Sequence, residues 1–106
     1  MVAPTRGRLL DGSHAPTTGE RVEQLAQVRG TVIEQILSSE LDEAIEYNQD
    51  HDEWVVLLAG SAELEVSGDR LSLEAGDWTL LPRRTPHRLL RTSQGASWLA
   101  VRLPSQ

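Results

Sequence analysis

Glu53 and His87 are the side chains of this sequence best suited to proton chemistry. A carboxylate beside an imidazole raises the imidazole's proton affinity, and burial opposes that, so such a pair can move protons near neutral pH. Tyr47, Gln49 and His51 precede Glu53 at even offsets. One strand face would carry all four inward. Gln49 could ligate a cation through its amide oxygen, a weak neutral donor. Tyr47 could do so only as a phenolate, which is costly without a metal to drive it. His51 sits in an Asn/Asp-rich turn, where a histidine ordinarily points to solvent; folded over a pocket mouth it would add a second imidazole beside His87. Glu53 and His87, helped by Gln49 or His51 and water, therefore form a candidate divalent-metal site. Without a metal, Glu53 and His87 form a candidate acid/base pair. The bland alternative is that the two satisfy each other by hydrogen bonding across the core.

Arg83, Arg84, Arg88 and Arg91 make a local basic cluster in a chain of net charge -6. Such a cluster can clamp a carboxylate or phosphate at a pocket mouth. Pairing with neighbouring Glu and Asp is the simpler expectation for Arg83 and Arg88. Arg91 shares parity with His87 and is expected to point inward, beside Tyr47 and Gln49, as a substrate-binding residue. Trp54, Trp78 and Trp98 fit a core or a dimer interface better than a substrate platform. Trp54 follows Glu53, so it should face away from the pocket.

The elements that must position these residues are short strands. Residues 1–30 read as an irregular arm rich in Pro, Gly, Thr and Ser, followed by a first strand over Glu20 to Val28 that also has some helical character. Thr31 to Ser38 is a strand rich in β-branched and large aliphatic residues. Further strands are expected over Glu43 to Gln49, Glu53 to Ala59, Ala62 to Val66, Leu71 to Leu73, Trp78 to Leu81, His87 to Arg91 and Ser97 to Leu103, divided by Gly, Asn, Asp and Pro turns. The Tyr47 and His87 blocks each read as two strands around a tight turn. Strands at this spacing predict an all-β sandwich or barrel with a pocket at its mouth.

Composition narrows the function classes. The 106 residues suit one domain. There is no cysteine, which removes disulfides and thiolate metal sites. All ten basic residues are arginine, which removes lysine nucleophiles and Schiff bases. The acidic balance argues against nucleic acid as a partner. No apolar run approaches the length of a membrane span, and the N-terminal residues do not read as a signal peptide, so a soluble cytoplasmic protein without membrane contact is expected.

Several spacings match a known family. Glu53-x(6)-Gly60 resembles the second half of the first cupin motif, G-x(5)-H-x-H-x(3,4)-E-x(6)-G. Gly76-x(5)-Pro82 with His87 resembles the second motif, G-x(5)-P-x-G-x(2)-H-x(3)-N. The 15 residues from Ser61 to Ala75 between them match the separation of the smallest cupins. Tyr47-x-Gln49 before Asp52-Glu53-Trp54, and Trp98-Leu99-Ala100-Val101 at the end, are similar to a subgroup of small bacterial single-domain cupins. The resemblance implies a single cupin β-barrel (a double-stranded β-helix, jelly-roll-like) over residues 31–103, and a homodimer, with the arm and Thr31–Ser38 as candidate contacts because a short barrel leaves an edge open.

The departures from the family pattern bear on function. Three residues between the second histidine position and Glu53 put Gln49 and Tyr47 where the family has histidines; four put Asn48 and Glu46 there. Arg84 stands where glycine is usual and Arg91 where asparagine is usual. Only Glu53 and His87 carry over directly from the four metal ligands, which in the family hold iron, manganese, nickel or zinc. Three readings follow. The first is a small-molecule-binding cupin, as an enzyme or a binding protein, with a weak metal site. Alternatively the chain is a metal-free isomerase or lyase using Glu53 and His87, or a sensor that binds a ligand and transforms nothing. In each the expected ligand is a small anionic or polar molecule.

Overall fold

The computed structural model describes residues 3–104; Met1 and Val2, the start of the expected arm, lie outside them. The β-branched and alternating segments become nine strands among the described residues. They are β1 (Glu20–Val28), β2 (Thr31–Ser38), β3 (Ile45–Tyr47), β4 (Glu53–Ala59), β5 (Ser61–Val66), β6 (Asp69–Glu74), β7 (Trp78–Leu81), β8 (His87–Thr92) and β9 (Ala96–Arg102). All pairings are antiparallel, in two sheets ordered β1-β2-β9-β4-β7 and β3-β8-β5-β6. The architecture is all-β and jelly-roll-like.

The two blocks around Glu53 and His87 are not hairpins. β3 pairs with β8 in the four-stranded sheet, while β4 pairs with β7 and β9 in the other. The connections at 48–52 and 82–86 therefore cross from one sheet to the other. Local turn chemistry at Asn48 and Asp50 looks the same for a hairpin and a crossover; only the partner strands decide between them. The predicted strand over Glu43 to Gln49 shrinks to Ile45–Tyr47, because the chain leaves the ladder to make its crossing.

The core fills the gap between the sheets. Leu57, Ala62, Ala96 and Ala100 are wholly buried, and Leu64, Leu73, Leu81, Leu89 and Trp98 nearly so. Small residues on β9 let its neighbours' larger side chains interdigitate, as close packing requires. Trp54 faces away from this core, as its parity demands, and its ring lies 6.0 Å from that of the exposed Trp78.

Thr31–Ser38 is not an open edge. β1 pairs along its whole length and β9 covers its other side. The edges of the five-stranded sheet are β1 and β7. β1 leaves Val22, Leu25 and Val28 exposed. The arm is tied to the outer face of β2 by Gln35, which is 1% exposed. Its amide oxygen accepts from Leu10 N at 2.9 Å, and its Nε2 donates to Leu10 O at 2.8 Å and Ser97 Oγ at 3.0 Å. That satisfies a buried amide which would otherwise be costly.

Gly60 joins β4 to β5 with φ +88, and a Cβ there would lie 2.6 Å from Ser93 Oγ and 3.0 Å from Ala96 Cα. Gly68 has a similar φ of +87 but open space around it. Gly60→Ala should therefore cost about 2 kcal/mol or more, and Gly68→Ala only the left-handed backbone penalty of about 1 kcal/mol. Urea denaturation of the two variants checks the ordering; equal losses would remove the steric role assigned to Gly60.

Candidate functional site

Both crossings lie at one end of the molecule and are stitched together. Arg84 N donates to Gln49 O at 2.6 Å, and Arg83 N donates to the Asp52 carboxylate at 2.8 Å. Arg84 adopts φ +59, the left-handed conformation that explains why glycine is usual at this position. The stitch holds Gln49 and Glu53 on one side of a cavity whose opposite wall carries Tyr47 and His87.

The cavity lies between the sheets and has a volume of about 210 Å³. Val55, Leu64, Leu81, Leu89 and Trp98 form its apolar walls. Its polar groups are Glu20, Tyr47, Gln49, Glu53 and His87. Tyr47 and His87 are directly opposite each other on β3 and β8, and their rings stack at 5.4 Å and 14°. The Tyr47 hydroxyl donates to a Glu20 carboxylate oxygen at 2.9 Å, which bridges the two sheets at the cavity mouth. Burial, then the Glu20 charge and this hydrogen bond, then the Glu53 charge, push the phenol well above its ordinary pKa. A phenolate is therefore disfavoured here.

His87 is 6% exposed. Its Nδ1 lies 3.1 Å from Thr85 O. A carbonyl only accepts, so the neutral ring carries its proton on Nδ1 and offers Nε2 as an acceptor. Burial is the main influence on the Glu53 carboxyl and raises its pKa. His51 and His87 oppose the rise by charge, Glu34 adds to it, and Arg102 also opposes it. Arg102 sits opposite Glu53 in the β4–β9 register, but its guanidinium is 4.0 Å from the Glu34 carboxylate.

Tyr47, Gln49, Glu53 and His87 thus share one cavity. His51 does not point to solvent: its side chain is 15% exposed, its Nδ1 is 3.5 Å from Asp50, and its buried Nε2 lacks a hydrogen-bond partner among the described residues. It acts on Glu53 by charge without lining the cavity. Arg91 faces the other way from the inward orientation that parity predicts. β8 pairs Arg91 with Glu63 but Leu89 with Leu64, so Leu90 is an extra residue in a β-bulge. The bulge turns Thr92 inward and Arg91 outward, where it meets Glu63 at 3.9 Å and Ser61 at 3.2 Å. Arg88 pairs with Glu65 at 3.5 Å and Glu46 at 3.9 Å. Among the described residues no arginine lines the cavity.

Glu20 and Val22 of β1 are lining residues that pattern reading does not single out. Their segment is ambiguous in periodicity, and nothing local says that its first turn of strand lies over the mouth.

Residues 33–102 match the cupin domain family (Cupin_2). The chain belongs to the cupin family. A Ralstonia eutropha JMP134 protein with the provisional name mannose-6-phosphate isomerase is 31% identical, with TM-score 0.81, over 96% of this chain and all of that one. A cupin superfamily protein of Desulfitobacterium hafniense DCB-2 has TM-score 0.75 at 20% identity, covering 94% of each chain. KdgF from Halomonas sp. has TM-score 0.74 at 17% identity, covering 83% of this chain and 81% of its own. At those two identities the likeness concerns the fold. An uncharacterised protein of Aquifex aeolicus (strain VF5) is 34% identical over 59 residues, 56% of this cupin and 49% of that protein, so the match spans about half the relative's length.

The family's metal is not matched by the donors here. Among the described residues no group of three or more His, Cys, Asp or Glu is placed to hold an ion. Gln49 and Tyr47, which a three-residue spacing to Glu53 aligns with the family's histidines, are a neutral amide and a phenol engaged with Glu20. Among the described residues no helix is long and apolar enough to cross a membrane.

The Glu53 environment sets a pH dependence. A raised native pKa means that the folded state holds the proton more tightly than the unfolded chain. This contribution to stability is fully present below the unfolded carboxyl pKa and is lost as pH rises through the folded value. Glu53→Gln, which cannot ionise, should therefore melt slightly higher than the wild type at pH 7. The advantage should close as pH falls below about 4, the unfolded glutamate range. Thermal melts across that range check the sign; a lower melting temperature for the variant at pH 7 would contradict it.

Proposed function

We propose that this cupin binds a compact, largely apolar small molecule between its sheets, and that Glu53 and His87 handle a proton at the molecule's polar end. The observation that carries this is the cavity itself: aliphatic walls and Trp98, with Glu53 and His87 among the few polar groups. Desolvation brings the Glu53 carboxyl toward the range where it can both give and take a proton. His87 Nε2 is the complementary acceptor, held in place by the Thr85 carbonyl. One group removes a proton and the other returns one at a neighbouring atom, a shift that needs no redox partner. Glu53 and His87 then act as the acid/base pair, while Tyr47 and Gln49 orient the ligand.

The name carried by the Ralstonia relative belongs to the same reaction class, since aldose–ketose isomerisation is a proton shift between adjacent carbons. A phosphorylated sugar suits this cavity poorly, because among the described residues no arginine lines it and Arg88 and Arg91 are engaged outside. The expected anionic ligand is accordingly set aside, and Arg91 takes no part in the site. No step is assigned to a metal, because the donor set does not suit one.

The test uses cyclohexanone as a neutral, apolar carbonyl probe. NMR in D2O should show shifts at Trp98 and Leu89 and protein-dependent exchange of the protons beside the carbonyl. Glu53→Gln and His87→Gln should each slow that exchange by about a hundredfold or more, the usual scale of general acid/base catalysis. Binding without exchange would favour the sensor reading over the enzyme. Exchange that persists unchanged in both variants would remove the pair from the mechanism.

We further propose that two copies pair through the outer face of the five-stranded sheet. Trp78 is 62% and Leu80 50% exposed there, beside Trp54, while the arm covers the part of that face around Gln35. A two-fold pairing would bury this apolar patch against the same patch of the second copy. Sedimentation should give the dimer mass for the wild type and the monomer mass for Trp78→Glu; a monomeric wild type would refute the pairing.

A further inference from the structure

The polar lining of the cavity is unbalanced in hydrogen bonding as well as in charge. An ionised carboxylate only accepts, and the lining holds two carboxyl groups, Glu20 and Glu53. The Tyr47 hydroxyl has its proton committed to Glu20. His87 is 6% exposed, and with its Nδ1 proton spent on Thr85 its Nε2 is left as an acceptor. Only the Gln49 amide brings spare donors. The Arg102 guanidinium, whose charge acts on Glu53, is directed to Glu34 and does not line the cavity.

A ligand that fits must therefore bring donors and positive charge to one end and apolar surface to the other. We infer that the ligand of this cavity is a small apolar amine bound as its ammonium ion, with the N–H groups directed to Glu53, Glu20 and His87 Nε2. An ammonium group has three donors and no acceptor, the complement of Glu53, the remaining acceptor capacity of Glu20 beside Tyr47, and His87 Nε2. Tyr47 from one sheet and Trp98 from the other both line the cavity, and aromatic surface favours a cation. The protein's charge of -6 attracts cations from a distance. The raised Glu53 pKa agrees with this arrangement, because it marks a buried carboxyl whose neighbours do not fully compensate its charge. This inference rests on the cavity being the ligand site; it does not depend on the proton shift.

Charge can be varied at nearly constant shape with benzylammonium, benzyl alcohol and benzoate. Butylammonium and butanol repeat the comparison with a slimmer body. Titrations at pH 7.5, followed by Trp98 NMR signals, should give about tenfold or greater preference for the ammonium over the alcohol, in line with a hydrogen bond to a charged group. Benzoate should bind more weakly than the alcohol. Glu20→Gln and Glu53→Gln should each reduce the ammonium-to-alcohol ratio, with circular dichroism confirming the fold of each variant. Equal affinity for ammonium and alcohol, or preference for benzoate, would overturn the amine assignment and leave the ligand cavity standing. No binding by any probe of either shape would overturn both.

Discussion

Everything in the candidate site depends on two chain crossings being held side by side. The connections at 48–52 and 82–86 each carry the backbone from one sheet to the other at the same end of the molecule. The hydrogen bonds from Arg84 N to Gln49 O and from Arg83 N to Asp52 clip them together. Without that clip, the groups on β4 and β8 would belong to two sheets free to splay at their open end. With it, Glu53 from one sheet and His87 from the other face one cavity. The left-handed backbone at Arg84, a conformation that costs a non-glycine residue about 1–2 kcal/mol, is part of the same clip.

The electrostatics follow from that geometry. Two sheets packed face to face leave an interior that is mostly aliphatic, so a carboxyl carried into it loses water. Burial shifts the Glu53 carboxyl toward its protonated form, and the imidazoles of His51 and His87 oppose that shift by charge. His51 reaches this region from a position that a turn-tip histidine would ordinarily spend in solvent, because the crossing folds back over the end of the sheets. Arginine is kept out of the cavity: the four cluster residues 83, 84, 88 and 91 end on the surface, two of them in ion pairs with glutamates on neighbouring strands. The result is a small apolar space with acceptors at one end.

Tyr47 shows how a family position changes use with its side chain. Its ring stacks on His87 and its hydroxyl reaches Glu20 across the mouth. The same position thereby becomes a strut between sheets, and the proton that a metal would have to displace is held more firmly than in free tyrosine. Gln49 completes the substitution by offering a neutral amide. Cupins share a fold while differing in chemistry, so function is argued from side chains such as these and not from the fold.

The strand pattern, the turn residues and the spacing from Glu53 to Gly60 and from Gly76 to His87 were sufficient to read an all-β cupin fold from the chain. They also placed Tyr47, Gln49, Glu53 and His87 together, because inward parity and motif spacing are local properties. The sequence could not show that the Tyr47 and His87 blocks are crossovers, since the turns look alike and only the partner strands differ. Nor could it show the bulge at Leu90, where one extra residue reverses the side-chain alternation and sends Arg91 outward. Glu20 was hidden for a related reason. Its place at the mouth depends on β1 pairing with β2 and on a hydrogen bond spanning 27 residues. Periodicity within one segment determines which face a residue occupies; pairing between segments decides what that face meets.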